Sequence, residues 1–328
     1  MSLERLEQAE GQWKAQRILR HALQSGRVSH AYLFNGPSGT GRMATAQAFA
    51  KALFCTSNGW DACGQCLACR KFEHGNQTAL LTIAPDGQSI KIDQIRELQR
   101  NLSYRGTETE RTVYLVERAE TMTLQAANSL LKFLEEPLSP IVAILITDNG
   151  QAILPTIRSR TQWVPFLPIP PESMLEKLVL EGASPLLARA AVHLSSGLDG
   201  ARQILQQNEF AEIRNLVIQL GKESLSRFTA AMITAQQQLF KTDLSAGMDM
   251  LLSLLTLWFK DFTQFQAGRQ DKIVFIDQLD WISSHAYDRS FAGWVSCMEH
   301  ILEAGKRIRA NVSPQLAFEQ LLVHLQEG

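Results

Sequence analysis

The sequence predicts an α/β domain built on a doubly wound parallel sheet, followed by an all-α C-terminal region. Three observations carry this prediction. Short apolar runs alternate with helix-like segments over the first half of the chain, a pattern typical of a parallel sheet covered on both faces. A glycine-rich turn, Gly36–Gly41, directly follows the first apolar run. Beyond the proline-rich run 165–171, helical periodicity replaces the strand pattern.

The first elements lead into and out of that turn. Residues 3–25 carry apolar positions at helical spacing, and Gly26 is expected to end this helix. The first strand is predicted over 31–34, just before the turn. The alanine-rich segment 44–54 is predicted to be the helix that follows it.

The rest of the predicted sheet comes from short apolar runs, and the predicted helices come from 3.6-residue periodicity. The further strands are expected at 80–83, 112–116, 141–146 and 161–166. The intervening helices are expected at 92–102 and 124–134, the second ended by Pro137. After the linker, short helices are predicted over 172–205 and long helices from Glu209 onward.

Composition describes an ordinary globular protein with more than one domain. The chain has 328 residues, of which 45% are hydrophobic and 20% charged, and its net charge is −1. This balance does not by itself require nucleic acid or an anionic membrane as a partner. No apolar run approaches the length of a membrane span, and the polar start resembles neither a signal nor a transit peptide. We therefore expect a cytoplasmic protein.

Four of the five cysteines form a cluster in the sequence. Cys55, Cys63, Cys66 and Cys69 have the spacing C-x7-C-x2-C-x2-C. Tetrahedral zinc takes four thiolate ligands, and a C-x2-C pair presents two of them from one turn. Ordinary buried cysteines are the alternative, but their clustering favours a closed structural zinc site. Cys297 lies on a distant helical pattern and is expected in a core.

The turn Gly36–Met43 resembles a phosphate-binding loop that has lost two chemical groups. Gly36, Gly39 and Gly41 stand where the loop pattern needs flexible backbone. Arg42 replaces the lysine that contacts phosphate, and Met43 replaces the hydroxyl that ligates Mg²⁺. The segment is therefore either a degenerate nucleotide site or only a strand-to-helix turn.

Charged residues follow two of the predicted strands. Glu117 and Arg118 follow strand 112–116, where a nucleotidase would carry an acidic pair. Arg118 cannot act as a base, because a guanidinium stays protonated. Glu120 is expected to be solvated. Arg158 and Arg160 lie between the last two strands and are either solubilising surface residues or groups that reach a neighbouring subunit's phosphates.

Several motifs together resemble the clamp-loader branch of the AAA+ family. The position and spacing of the cysteine insert match that family, and four further segments carry its motifs. These segments are His30–Gly36, Asn128–Pro137, Ile157–Arg160 and Asn311–Leu322. The segment Asn128–Pro137, with the sequence NSLLKFLEEP, is the most specific of them.

The resemblance implies an architecture of three domains. An AAA+ domain of the P-loop type, with its zinc module at 55–69, would span 1–167. A small helical lid domain would span 168–206. A helical collar domain that holds an oligomer together would span 207–328.

The resemblance also implies a non-hydrolysing subunit of a DNA polymerase holoenzyme. Arg160 would complete the ATP site of the adjacent subunit in trans. The partners would be tau/gamma and delta subunits, and through the complex the sliding clamp and primed DNA. Binding of ATP by this chain is not expected, and Arg202 lies one residue from the place of the family's nucleotide-sensing arginine. The alternative is an active or nucleotide-switched clamp-loader ATPase that resembles tau/gamma.

Overall fold

The structure is a computed structural model that describes residues 5–57, 59–105, 111–135 and 141–327. Contacts divide the chain into two compact units. The first comprises the chain up to Pro170 together with Ser196–Gly200, and the second comprises Pro171–Ser195 and the chain from Ala201 onward. The boundary at Pro170 lies inside the proline-rich run. The finer division into three domains stays a prediction.

A parallel sheet forms the centre of the first unit. Its strands in the described residues are β1 (Ala31–Asn35), β2 (Leu80–Ile83), β3 (Thr112–Val116), β4 (Ile141–Thr147) and β5 (Gln162–Pro165). They are arranged in the order β2-β3-β4-β1-β5, and every pairing is parallel. All five predicted strands are confirmed to within about two residues, the usual error of strand ends.

Helices cover both faces of this sheet. Those of the first unit are α1 (Trp13–Ser25), α2 (Arg42–Phe54), α3 (Leu67–Glu73), α4 (Ile92–Arg105), α5 (Leu124–Glu135) and α6 (Pro155–Arg158). Successive strand side chains enter opposite layers: Leu33 packs with apolar residues of α4 and α5, while Phe34 packs with those of α1 and α2. Burial on both faces explains why the strands read as continuous apolar runs. Pro137, predicted to end α5, lies outside the described residues.

One element of the first unit differs from its prediction. Residues 3–25 do not form a single helix: a 3-10 turn, Leu6–Gln8, precedes α1. Gly11 lies between them at φ +71°, a conformation that a helix does not contain. The predicted helix end is confirmed, because Gly26 has φ +68° at the C-cap of α1.

The described part of the second unit is helical, as predicted. Its helices are α7 (Pro171–Leu180), α8 (Pro185–Leu194), α9 (Leu198–Leu205), α10 (Phe210–Ser226), α11 (Phe228–Thr234), α12 (Met248–Gln266), α13 (Leu279–His285), α14 (Phe291–Arg309) and α15 (Pro314–Glu327). Of these, α9 begins in the segment Ser196–Gly200 that belongs to the first unit. Aromatic rings fill its core, with Phe262 stacked on Trp294 at 4.3 Å between centroids. The predicted fold class, a parallel α/β sheet followed by an all-helical region, is confirmed. Among the described helices, none is long and apolar enough to cross a membrane.

A buried carboxylate accepts backbone hydrogen bonds within this core. Asp261 on α12 is 0% exposed, and it accepts N–H bonds from Val274 at 2.9 Å and from Phe275 at 2.8 Å. Burial raises the pKa of Asp261 to about 7, against the two donors that favour the carboxylate. The native protein therefore holds a proton, between about pH 4 and pH 7, that the unfolded chain releases. The contribution of Asp261 to the free energy of unfolding therefore falls as the pH rises through that window.

We predict that Asp261→Ala lowers the free energy of unfolding by about 2–4 kcal/mol, because two buried N–H groups lose their acceptor. The loss should be larger at pH 5 than at pH 8. Urea denaturation followed by tryptophan fluorescence measures it, since Trp258 and Trp294 are buried in this unit. Asp249→Ala, on an exposed turn of the same helix, is the control and should have a small effect. A larger loss at pH 8 would contradict the direction of the pKa shift.

Candidate functional sites

The turn Gly36–Met43 has the backbone shape of a phosphate-binding loop. It joins the carboxyl end of β1 to the start of α2, which begins at Arg42. Gly39 and Gly41 have φ of +84° and +81°, in the left-handed region that favours glycine. A Cβ on Gly36 would lie 2.2 Å from the carbonyl oxygen of Phe166. The predicted loop glycines are thus required by the path of the chain, whatever the loop binds.

Asp148 of the same chain forms an ion pair with Arg42, the cation of this loop. Asp148 is the residue that directly follows β4. Arg42 is 9% exposed, so the ion pair holds it against the protein rather than in solvent. Because β4 is hydrogen-bonded to β1, parallel pairing puts the end of β4 beside the loop. The guanidinium that should contact a phosphate is therefore already paired with a carboxylate of the same chain.

A second segment lies against the same loop. In the stretch Ser196–Gly200, the N–H of Gly200 donates to the carbonyl oxygen of Gly39 at 3.2 Å. The Asp199 carboxylate approaches Gly41 so closely that a Cβ there would lie 2.8 Å from Asp199 Oδ2. Two carboxylates thus flank the amino end of α2, where a bound phosphate would meet charges of its own sign.

The sequence did not single out Asp148 or Asp199 as carboxylates that face the loop. Asp148 had a signal that could have found it, because it is the first acidic residue after the predicted strand 141–146. Asp199 had none, since nothing local to its sequence indicates that its segment returns to the loop.

The charged residues at the end of β3 have contacts within the first unit. Glu117 donates its backbone N–H to the carbonyl oxygen of Ile83 at 2.8 Å. Arg118 is left-handed at φ 45° and donates to the carbonyl oxygen of Gly87 at 3.5 Å. Glu120, expected to be solvated, instead has a buried Oε2 with no hydrogen-bond partner among the described residues. That expectation was wrong, because the short 3-10 turn after β3 folds Glu120 against the protein.

Arg160 projects from the turn between α6 and β5. Its guanidinium forms an ion pair with Glu135 at 2.8 Å, and Nη1 donates to the carbonyl oxygen of Thr156 at 3.0 Å. The side chains of Arg160 and Glu135 are 37% and 48% exposed, so both groups are accessible from solvent. An exposed ion pair of this kind contributes little to stability and is easily exchanged for another anion.

Arg160 and the loop lie at opposite edges of the sheet. Gln162, which follows Arg160 by two residues, is level with Tyr32 at the amino end of β1. The loop begins at Gly36, past the carboxyl end of that strand. At a rise of about 3.3 Å per residue, the two sites are about 13 Å or more apart along the strand. Arg160 is therefore not placed to serve the loop of its own chain.

Arg202 is engaged within the second unit. It binds Glu181 through two parallel bonds, Nη2 to Oε1 at 2.6 Å and Nε to Oε2 at 3.0 Å. This hydrogen bonding holds the pKa of Glu181 below its usual range. A bidentate pair is among the stronger side-chain contacts, so the Arg202 fork is directed at a carboxylate of its own unit.

The four clustered cysteines converge in space. The Sγ atoms of Cys55, Cys63, Cys66 and Cys69 all lie within 4.8 Å of one another and could hold a metal ion. Backbone N–H groups point at the sulfurs: Cys63 N donates to Cys55 Sγ at 3.4 Å, and Cys66 N to Cys63 Sγ at 3.3 Å. Gly64 makes the intervening turn at φ +74°. Four thiols and no carboxylate or imidazole form a donor set that suits zinc.

The surroundings of these thiols differ from one another. Backbone N–H groups of Thr56 and Cys69 lower the pKa of Cys66 to about 5, since they stabilise its thiolate. Burial raises the pKa of Cys69 to about 12. The fifth cysteine, Cys297, is buried in α14, where Arg289 Nη1 donates to its sulfur at 3.0 Å. It lies in the helical core, as expected.

Comparison with known proteins identifies the family of this chain. A family model described as DNA polymerase III, delta subunit, matches residues 11–170. A second, described as DNA polymerase III, delta subunit, C terminal, matches residues 208–327. The DNA polymerase III subunit delta' of Bacillus subtilis is 37% identical over 333 residues, which covers 100% of both chains. The subunit delta' of Pseudomonas aeruginosa is 30% identical over 321 residues, and this alignment covers 90% of this chain and 91% of the Pseudomonas chain.

Other similar proteins match a smaller part of the chain or match it at lower identity. The DNA polymerase III subunit gamma/tau of Mycobacterium tuberculosis is 35% identical over 155 residues, or 47% of this chain and 27% of its own length. A crystal structure of a gamma subunit-related protein from Thermotoga maritima covers 96% of this chain at 20% identity, with a TM-score of 0.46. The identity to two delta' subunits, over the full length in one and over nine-tenths in the other, is the decisive match. The chain belongs to the family of delta' subunits of DNA polymerase III.

Proposed function

We propose that this delta' subunit works in a clamp-loader complex as a non-hydrolysing AAA+ subunit that supplies an arginine to its neighbour. The observation that carries the proposal is the contrast between the two sheet edges. At the carboxyl edge, the loop arginine Arg42 is tied to Asp148. At the amino edge, Arg160 is exposed on a turn that an adjacent subunit can approach.

The loop lacks what hydrolysis requires. Met43 offers a thioether where Mg²⁺ needs a hard oxygen ligand, and Arg42 is already paired. At the end of β3, Arg118 stands in the place of the acidic residue that would act as a base on water, and it donates to a backbone carbonyl. Asp148 and Asp199 add negative charge where a triphosphate would lie. The pairing of Arg42 and the nearby carboxylates oppose nucleotide binding, while Met43 and Arg118 oppose hydrolysis.

Arg160 has the properties that a trans-acting arginine needs. Its side chain reaches solvent, and its own contacts are an exposed carboxylate and a backbone carbonyl. A phosphate with greater negative charge can replace Glu135 as the partner of the guanidinium fork. In this role Arg160 would stabilise charge on the γ-phosphate in the adjacent subunit. The partners would be tau/gamma and delta subunits, with the sliding clamp and primed DNA reached through the complex in the cytoplasm.

Two further domains are proposed for the rest of the chain. Residues 168–206 are proposed as a lid, and the helices from 207 onward as a collar that joins the subunits. The cysteine cluster is proposed as a structural zinc site, because its four ligands leave no open position for a reacting group.

We predict that Arg160→Ala removes catalysis at the one ATP site that it completes. Turnover at that site should fall about 10³-fold or more, so that the complex loses that site's share of its DNA-stimulated ATPase rate. The measurement uses the complex reconstituted with tau/gamma and delta subunits, with assembly checked by gel filtration. Arg96→Ala, which removes an exposed ion pair with Asp93 on α4, is the matched control and should leave the rate unchanged. An Arg160→Ala complex that hydrolyses ATP at the normal rate would exclude the trans role.

We predict that the isolated chain does not bind ATP with Mg²⁺ in a calorimetric titration, even at about 1 mM nucleotide. The physical reason is the pairing of Arg42 and the missing hydroxyl at position 43. A tau/gamma subunit titrated under the same conditions is the positive control. Saturable heat from the wild-type chain would instead support an active or nucleotide-switched subunit.

We predict about one zinc ion per chain by elemental analysis of the purified protein. Cys66→Ser should lower both the zinc content and the thermal midpoint, since bound metal contributes of order 10 kcal/mol to small zinc modules. Cys297→Ser should leave the zinc content unchanged. A wild-type protein without stoichiometric metal, purified without chelators, would contradict the assignment.

A further inference from the structure

The N-terminal arm, residues 5–12, is held to the first unit by side chains rather than by sheet pairing. It contains the 3-10 turn Leu6–Gln8 and ends at Gln12, the residue before α1. Leu6 is fully buried among apolar side chains of α1, α2 and the sheet. One apolar anchor leaves the polar backbone of the arm to find other partners.

The four-cysteine insert supplies acceptors for the amides of the arm, while the Gln16 side chain of α1 donates to the carbonyl oxygens of Leu6 at 3.4 Å and Glu7 at 2.9 Å. The N–H of Leu6 donates to Asp61 Oδ1 and the N–H of Glu7 donates to Asp61 Oδ2, both at 3.2 Å. These amides start the 3-10 turn and have no acceptor inside it. Asp61 Oδ1 also accepts from the N–H of Ala62 at 2.7 Å, which fixes the carboxylate relative to its own loop. A single side chain of the insert therefore binds the start of the arm.

The position of Asp61 depends on the cysteine cluster. Asp61 lies in the loop between Cys55 and Cys63, two residues before the second cysteine. The apolar group around the cysteines includes Ala52, Ala62 and Cys69, which is too little to fold a loop. Bound metal would close the loop between Cys55 and Cys63 and so hold Asp61 in place.

Two further contacts join the insert to the helices beside it. Lys51 on α2 is 3% exposed and pairs with Glu73 at the end of α3 at 2.6 Å. The guanidinium of Arg20 on α1 lies 4.4 Å from the ring centroid of Trp60. The insert thus connects α1, α2 and the arm.

The other end of the arm binds the segment that leaves the first unit. The Gln12 side chain, 3% exposed, makes two bonds of 2.9 Å to the backbone N–H and carbonyl of Leu167. Next to it, Gly11 packs on Ile169 so closely that a Cβ would lie 2.4 Å from Ile169 Cδ1. The arm therefore contacts the insert near one end and residues 167–169 at the other.

We propose that metal in the four-cysteine site acts as a clasp for the N-terminal arm and, through Gln12, for the exit segment 167–169. The metal orders the loop that carries Asp61, Asp61 binds the turn of the arm, and Gln12 then holds Leu167. Loss of the metal releases these contacts in the same order and leaves the sheet intact. The zinc site then orders segment 167–169, through which the chain leaves the first unit, as well as the loop that carries its own cysteines.

Hydrogen exchange on the full-length chain tests this clasp. The zinc-loaded protein is compared with protein stripped by a mercurial reagent and a chelator, and peptides from the arm, the exit segment and β3–β4 are followed by mass spectrometry. Stripping should speed exchange of the Leu6, Glu7 and Leu167 amides about tenfold or more. The amides of β3 and β4 should keep their wild-type protection.

Two variants separate the steps without removing metal. Asp61→Ala should keep one zinc ion and show fast exchange in the arm whether loaded or stripped. Gln12→Ala should release Leu167 alone and leave Leu6 and Glu7 protected. Asp86→Ala, an exposed carboxylate in another loop of the same unit, is the control and should match the wild-type chain.

Either of two results would overturn the proposal. One is a loaded Asp61→Ala protein with a fully protected arm, which would remove Asp61 as the link. The other is a stripped wild-type protein in which the insert exchanges rapidly but the arm does not. If stripping also exposes β3 and β4, the loaded Asp61→Ala protein decides the question alone.

Discussion

The parallel direction of the strands is the constraint on which the functional layout depends. Because every strand pairing is parallel, the carboxyl ends of β1 and β4 meet at one edge of the sheet. That edge brings together the glycine loop, Arg42 and Asp148. The same constraint puts the turn before β5, with Arg160, at the other edge. One chain can therefore keep a closed loop at one edge and offer an arginine at the other.

The ion pair between Arg42 and Asp148 gives the cation of the loop a partner within the chain. A buried guanidinium without a counter-charge is costly, and Asp148 provides that charge from the neighbouring strand. The N–H of Gly200, which donates to the carbonyl oxygen of Gly39, adds a backbone contact to the loop. The loop is thus part of the scaffold, supported on the far side of α2 by the cysteine insert that begins at Cys55, the C-cap of the helix.

Local sequence predicted the features that depend on local physics. The strands were found because they are buried on both faces, and the cysteine cluster because C-x2-C spacing dictates its own turn. The arm was not predicted, since its break at Gly11 depends on packing against Ile169, far along the chain. Asp199 was missed because its approach to the loop is equally distant in sequence, whereas Asp148, 106 positions from Arg42, could have been found from its place directly after a strand. Glu120 was misjudged because its burial comes from a short 3-10 turn rather than from a periodic helix.

The central claim is that the chemistry of this subunit lies at the amino edge of its sheet. The most direct test is a structure of the reconstituted complex with a non-hydrolysable ATP analogue and Mg²⁺. The account predicts that the Arg160 guanidinium lies within hydrogen-bonding distance of the γ-phosphate in the adjacent subunit, and that Arg42 still pairs with Asp148. Nucleotide bound to Gly36–Met43 of this chain, with Arg160 still on Glu135, would contradict it.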